Sequence, residues 1–300
     1  MKPQIELAKS RDFSETISDT FTFVKQNIKP LFKAFFTFSG FFILAGTISA
    51  VFFQIKVTNI ANGSMPGPIA SRLEYGPSIF ETFGVEYFLT IIFYLLTITV
   101  LKVTTFSYVA LYKEKGNQAP STEELWGYIK YYFWRILGAS FVSNLLLGFG
   151  FLFCLIPGIY LAPIFALIFP IIVFENASFG YAFNRCFTLI KENWWLTFGI
   201  LVVTWIIIYV CIMAITLPAT MINVIGLILH PQKGAGLSVT ASVITVILQH
   251  LSMVFLTIPI ITICLCYFNL TETKEGTNLL ERINKLGEIK PDHDLPAEEY

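Results

Sequence analysis

The chain contains 300 residues, of which 55% are hydrophobic, 16% are aromatic and 13% are charged. Soluble domains carry about 25% charged residues, so this composition excludes an ordinary soluble globular protein. The 20 basic residues balance the 20 acidic ones, and they form no patch of the kind that binds nucleic acid.

Residues 1–33 are predicted to form an N-terminal segment with an amphipathic helix. The segment begins with polar residues of mixed charge, which does not fit a cleavable signal peptide. Its apolar side chains then recur at steps of three and four, the period of a helix: Phe13, Ile17, Phe21, Val24 and Ile28. The first apolar run starts only at Ala34, so we expect that run to be a retained signal-anchor.

Six apolar runs follow, and a bilayer-crossing helix needs roughly 20 such residues. They cover 34–55, 87–111, 136–155, 159–174, 195–217 and 240–268. The short alternating segments of a β-barrel are absent. The sequence therefore predicts an all-α integral membrane protein with six transmembrane helices within 34–268, followed by a charged cytoplasmic tail at 269–300.

Basic residues are distributed unequally between the two predicted sides of the membrane. Three lie on one side (Lys56, Arg72 and Lys233), Lys102 lies within a span, and the remaining 16 of the 20 lie on the other side. Because short cytoplasmic segments are enriched in Lys and Arg, this bias predicts that both termini are cytoplasmic.

A short motif recurs along the chain. Residues 21–27 have the sequence FTFVKQN, residues 187–193 have FTLIKEN, and residues 126–130 have the fainter match WGYIK. Each copy precedes an odd-numbered span and lies in a segment with helical apolar spacing. The pattern predicts three parallel hairpin repeats, each preceded by a cytoplasmic amphipathic interfacial helix. It leaves open whether the repeats arose by duplication or by convergence.

Each copy of the motif carries a lysine at the same position. Lys25, Lys130 and Lys191 are therefore candidate lipid-headgroup contacts, since basic residues beside an interfacial apolar stripe attract anionic lipid. Membrane lipids, of anionic type, are the predicted partners. The sequence does not decide whether a second copy or another membrane protein also binds.

Residues 155–200 contain the most distinctive pattern. A Pro-Gly pair begins a short span that ends in a glutamate, and a helix with the pattern A-x-x-R-x-x-x-L-x-K-x-N-W-W follows. The matching residues are Pro157, Gly158, Glu175, Ala182, Arg185, Lys191, Asn193, Trp194 and Phe198. This stretch resembles the bacterial six-span superfamily that contains the membrane domain of glycerophosphodiester phosphodiesterases and YciC-like uncharacterised proteins.

The resemblance implies a multi-pass protein of the bacterial inner membrane, and it implies no catalytic activity, because the phosphodiesterase chemistry of that superfamily belongs to a separate soluble barrel. The chain has three histidines and no recognisable nucleotide-binding or hydrolase motif. Its five cysteines show no metal-site spacing. We therefore expect no enzyme activity, no catalytic or metal-binding residue and no cofactor.

Two groups of polar residues are candidate sites. Lys102 lies within the second span, and Gln249 and His250 lie early in the sixth; ionisable residues inside spans are functional candidates. The three side chains either face a common bundle interior or lie near the interface. Glu175 and Arg185 flank the exit of the fourth span and form a candidate structural pair.

The sequence supports two functions of different class. The first is a structural, assembly or lipid-interacting membrane component. The second is a transporter or channel-like protein for a small or amphipathic molecule, with a path near Lys102 and His250. The apolar segment 218–236 is too short for another span and is expected to be an outer-face helix or a re-entrant piece.

Overall fold

The computed structural model describes residues 5–62, 83–153, 155–229 and 237–276. These residues form helices and no strands. The helices are α1 (Phe13–Gln26), α2 (Ile28–Ala61), α3 (Val85–Glu114), α4 (Thr122–Phe153), α5 (Leu155–Ala166), α6 (Ile168–Phe174), α7 (Phe179–Ile190), α8 (Trp194–Leu229), α9 (Val239–Leu251) and α10 (Thr257–Glu275), with a 3₁₀ turn at Ser252–Leu256 between the last two.

Six of these units are long and apolar enough to cross a membrane: α2, α3, α4, α5 with α6, α8 to Gly226, and α9 to α10. This confirms the predicted all-α membrane architecture. The helices extend beyond the predicted runs, because a helix does not end where its apolar residues end. Most of the segment between the first two spans and most of the predicted tail at 269–300 lie outside the described residues, as do His230 and Cys154.

Helix α3 lies at the centre of the bundle. Its residues from Val100 to Tyr112 are buried almost without interruption, and it packs against α2, α4, α6 and α10. Helix α10 is the second central element and packs against α1, α3 and α8.

Helices α1 and α7 are separate short helices that precede long ones. Asp12 begins α1 with a capping box, in which its carboxylate accepts from the Glu15 amide and the Glu15 side chain accepts from the Asp12 amide. Ser178 caps α7 in a simpler way by accepting from the Tyr181 amide. The segment with the motif WGYIK, in contrast, belongs to α4, which is a single uninterrupted helix from Thr122 to Phe153. Within the described residues 83–153, no separate short helix precedes that span.

The apolar stripes of the three motif-bearing helices are covered to different extents. In α1 the stripe is partly covered: Phe13 and Phe21 are 38% and 36% exposed, and Ile17 and Val24 are half-buried. In α4 the equivalent residues are buried inside the bundle because α3, α5 and α6 pack over them. In α7 the three phenylalanines of the stripe are half-buried. The sequence periodicity is the same in all three helices, but only neighbouring helices determine what covers each stripe.

Pro170 and Pro259 lie where helices restart, whereas Pro163 lies inside α5. Pro170 is the third residue of α6 and Pro259 is the third residue of α10, and in the first turn a missing N–H breaks no intrahelical bond. Pro218, in contrast, lies inside α8, which continues through it to Leu229. The first part of the 218–236 segment is therefore the end of a long helix, as proline is tolerated in apolar helices of this type.

Candidate functional site

Arg11 fixes the N-terminal segment to α10. The guanidinium is fully buried, forms an ion pair of 2.8 Å with Asp19, and donates to the carbonyls of Glu6, Leu7 (2.8 Å) and Lys9 (3.1 Å). The backbone N–H of Arg11 donates to Asn269 Oδ1 at 2.8 Å. Since each guanidinium nitrogen has at least one acceptor, the arrangement satisfies the requirement for burying a charge.

The junction between α1 and α2 is held by Asn27. Its Oδ1 accepts a hydrogen bond of 3.0 Å from the Tyr108 hydroxyl on α3, and its Nδ2 donates to the Phe23 carbonyl at 3.1 Å. The Phe23 ring packs edge-on against Tyr108 and Tyr112. A buried asparagine between two helices thus sets the angle at which α1 leaves α2.

Glu175 and Arg185 meet in a cluster that we name the Arg185 clamp: Glu175, Arg185, Tyr267 and Glu275. Arg185 Nε lies 3.4 Å from Glu175 Oε1, and its Nη2 donates to Glu275. The Tyr267 hydroxyl donates to Glu175 Oε1 at 2.9 Å. Partial burial opposes the charged form, but the contacts with the two glutamates hold the pKa of Arg185 above its ordinary value.

Further hydrogen bonds hold the turn before α7 and the far side of that helix. Tyr131 and Arg135 of α4 donate to Asn176 Oδ1 at 3.2 and 2.7 Å, and Asn176 has a positive φ of 48°. Lys274 of α10 donates to the Thr188 carbonyl at 2.6 Å. Together with the Arg185 clamp, these bonds connect α4, α6, α7 and α10, and they give the cluster a structural role in fixing α7.

A polar cavity of about 350 Å³ lies beside the clamp. Lys113, Glu114, Tyr267, Thr271 and Glu272 supply its polar lining. The Lys113 ammonium lies 4.8 Å from the centre of the Phe268 ring, which stacks on Phe174. Within the described ranges, no group of three His, Cys, Asp or Glu residues has the arrangement of a metal site.

Lys102 contacts α4 and α6. Its Nζ lies 3.4 Å from Ser140 Oγ and 4.1 Å from the centre of the Phe169 ring. Such a position over an aromatic face is favourable for a partly desolvated ammonium. The side chain therefore has one neutral hydroxyl and one ring as partners, and it has no carboxylate partner among the described residues.

Gln249 and His250 line a crevice of about 420 Å³ at the junction of α9 and the 3₁₀ turn, together with Thr90, Tyr94 and Ser252. Nδ1 of His250 lies 3.0 Å from the Val246 carbonyl and donates to it. Its Nε2 would lie at the ordinary contact distance of 3.8 Å from a Cβ on Gly46, whereas the Cβ of Phe93 on α3 would lie only 3.3 Å away, so the glycine allows the close approach of α2 to α3 beside the imidazole.

The structure does not bring Lys102 together with Gln249 and His250. No described hydrogen bond, ion pair or ring contact joins them. Tyr94 of the crevice and Lys102 belong to the same helix but are eight residues apart, or roughly 12 Å at 1.5 Å per residue. The two groups are separate polar features of the bundle.

The three motif lysines have exposed side chains. The Lys130 ammonium lies 5.0 Å from the centre of the Trp126 ring. Lys191 borders a groove of about 500 Å³ that also contains Glu192, Tyr160, Trp194 and Trp195. Lys25 is in the last turn of α1, where a positive charge also complements the helix dipole. Among the described residues, none of the three forms an ion pair.

The fold and its exposed apolar surface define a multi-pass, all-helical membrane protein. No protein-family model, no curated protein and no solved structure matches the chain. The resemblance of residues 155–200 to the six-span superfamily therefore stays a prediction drawn from those residues.

Proposed function

We propose that the chain is a non-catalytic, lipid-interacting component of a bacterial inner membrane, with both termini cytoplasmic. In this proposal the end of the bundle that carries α1 and α7 faces the cytoplasm and binds anionic headgroups. The hairpin units serve as the scaffold that holds these helices at the interface. The three-repeat architecture and the interfacial role of α1 and α7 belong to the proposal.

The observation that carries the proposal is the surface of α1. Thr16, Thr20 and Phe23 are buried against the bundle, whereas Phe13 and Phe21 of the apolar stripe remain 38% and 36% exposed. Next to this stripe stands Lys25, which is exposed and forms no ion pair among the described residues. An apolar stripe beside an unpaired cation suits the boundary between acyl chains and anionic headgroups.

The test compares lipids of different charge around the reconstituted full chain. The protein is placed in phosphatidylcholine vesicles that contain brominated phosphatidylglycerol or brominated phosphatidylcholine, and quenching of tryptophan fluorescence is measured. Trp126 and Trp195 lie close to Lys130 and Lys191 and report on the lipid beside them. Stronger quenching by the anionic lipid supports the proposal, and equal quenching by both lipids contradicts it.

The triple variant Lys25→Gln, Lys130→Gln and Lys191→Gln should remove most of that difference. Each lysine near an anionic surface contributes about 1 kcal/mol of attraction. Lys56→Gln is the matched control, because Lys56 lies at the other end of α2 and is paired with Glu86 at 3.5 Å. The control should keep the preference for phosphatidylglycerol.

A transporter or channel-like protein is the second candidate function, and the break between α9 and α10 favours it. Discontinuous helices with polar linings form substrate sites in many transporters, and Gln249 and His250 line a crevice at this break. A water path would make Thr90→Cys reactive towards a membrane-impermeant thiol reagent. Val202→Cys on the lipid-exposed face of α8 is the control. An unreactive Cys at position 90 contradicts the transporter.

A further inference from the structure

A lateral groove of about 410 Å³ lies between α2 and α4, with α3 beneath it. Its lining consists of Phe38, Phe42, Val100, Trp126, Ile129, Lys130, Phe133 and Trp134. Val100 is only 4% exposed and forms the floor, while the larger side chains of the outer helices form the walls. The volume lies in the range of ligand-binding pockets.

Among the described residues that line the groove, only Lys130 is charged. The Phe38 ring stacks on the Trp126 indole with centres 5.8 Å apart and planes 7° from parallel, and the Lys130 ammonium lies 5.0 Å from the same indole. The indole thus holds a cation at the edge of an apolar groove. Because no carboxylate pairs with Lys130 among the described residues, its charge is available to an anionic ligand.

Two other grooves on the bundle surface lack this combination. One of about 160 Å³, between α2 and the 3₁₀ turn, is lined by apolar residues and one threonine, with no charged residue. The other contains Lys191, but Glu192 lines the same groove and offsets the charge. The groove over Val100 is therefore distinguished by an apolar lining with one uncompensated cation.

We propose that the groove over Val100 binds one anionic phospholipid, with an acyl chain between Phe42 and Phe133 and the phosphate at Lys130. A phospholipid matches the groove because it joins an acyl chain to a charged headgroup. The acyl chain would lie on the apolar floor, and the headgroup would reach Lys130 at the edge. Trp126 and Trp134 suit the headgroup region, where indole rings are enriched. The inference rests on the proposed function and assigns it a specific lipid site.

Native mass spectrometry of the delipidated full chain, titrated with phosphatidylglycerol or phosphatidylcholine, tests the site. We expect one phosphatidylglycerol adduct to form at lower lipid concentration than any phosphatidylcholine adduct. Lys130→Gln should weaken this adduct about fivefold, the equivalent of the roughly 1 kcal/mol contributed by one lysine near anionic lipid. Lys130→Arg keeps the charge and should retain the adduct.

Val100→Phe fills the floor and should abolish the adduct. Val254→Phe, in the groove without a charge, is the matched control and should leave the adduct unchanged. Lys130 is exposed, so the two Lys130 variants keep the test valid even if Val100→Phe fails to fold.

The proposed lipid site is contradicted if the phosphatidylglycerol adduct survives both Lys130→Gln and Val100→Phe. It is also contradicted if Val254→Phe removes the adduct as completely as Val100→Phe does, or if a protein dimer forms in place of the lipid adduct. Any of these results can occur while the vesicle experiment still shows a preference for phosphatidylglycerol. In that case the specific lipid site is contradicted and the proposed function stands. A wild-type chain without that preference in vesicles overturns the proposed function itself.

Discussion

The hydroxyl of Tyr267 donates a hydrogen bond of 2.9 Å to Glu175, a residue 92 positions earlier in the chain. Glu175 also faces Arg185, so one carboxylate connects the end of α6, helix α7 and helix α10. The connection makes α7 part of the rigid bundle, although its sequence is that of a surface helix.

Tyr267→Phe should loosen α7 without unfolding the protein. The substitution removes one hydroxyl donor from a carboxylate that keeps Arg185, and a hydrogen bond to a charged group contributes about 1.5 to 3 kcal/mol. Hydrogen exchange of the amides from Phe179 to Ile190 should become measurably faster. Tyr181→Phe is the control, because Tyr181 is exposed and its side chain lies outside the clamp. Equal exchange in both variants would show that the clamp does not fix α7.

Arg11→Met should destabilise the protein by about 3 kcal/mol, since breaking a buried ion pair leaves its partners without compensation. Three backbone carbonyls and Asp19 would lose their donor. Thermal unfolding in detergent measures the effect. Lys9→Met removes only the exposed pair with Glu15 and should cost below about 1 kcal/mol. A small loss for Arg11→Met would mean that the N-terminal segment contributes little to stability.

Asn27→Ala and Asn193→Ala should differ, although the two asparagines occupy the same position of the repeated motif. The first leaves the Tyr108 hydroxyl buried without its acceptor, which costs about 1 to 3 kcal/mol. Asn193 takes part through its backbone only in the described hydrogen bonds, so its replacement should be nearly neutral. Chemical unfolding of both variants checks the difference, and equal losses would contradict it.

The thiol of Cys186 should resist alkylation in the folded protein. Burial raises the pKa of Cys186 from its ordinary value of 9.0 to about 12, so the thiolate is absent at pH 8. Iodoacetamide should modify this residue only after denaturation, as peptide mass spectrometry can show.

The same pKa shift has a consequence for stability. The folded state binds the thiol proton more tightly than the unfolded state, so its contribution is complete below pH 9 and is lost as the pH rises towards 12. Cys186→Ala should remove this alkaline component of the pH dependence. A variant whose stability falls over the same pH range by the same amount would contradict the assignment.

The six spans were predictable because each is a continuous apolar run, and bilayer thickness fixes the length of such runs. Helix boundaries were less predictable. The apolar periodicity is the same in α1 and at the start of α4. Yet α1 is a separate helix that ends before Asn27, whereas the start of α4 continues into its span without a break. Likewise, the fifth span was predicted to cover 195–217, with a separate apolar segment at 218–236, yet α8 passes through Pro218 to Leu229.

The polar contacts divide in a similar way. Glu175 and Arg185 are ten residues apart, so a local pattern was enough to suggest that they meet. Tyr267, Asn269 and Glu275 come from a distant helix, and a single sequence gives no signal for such pairings. Lys102 and His250 were grouped as candidates because both are ionisable residues in apolar spans, and the sequence left open whether they face a common interior or lie near the interface. The positions of the helices decide their neighbours, and these neighbours are different for the two residues.

The bond between the Arg11 amide and Asn269 spans 258 residues, which has a consequence for biosynthesis. A chain emerges from the ribosome N-terminus first, so residues 5–12 are synthesised long before α10 exists. Their final position becomes available only when the last span has been inserted. Docking of the N-terminal segment onto α10 is therefore a late step of assembly, because it requires the last span to be in place.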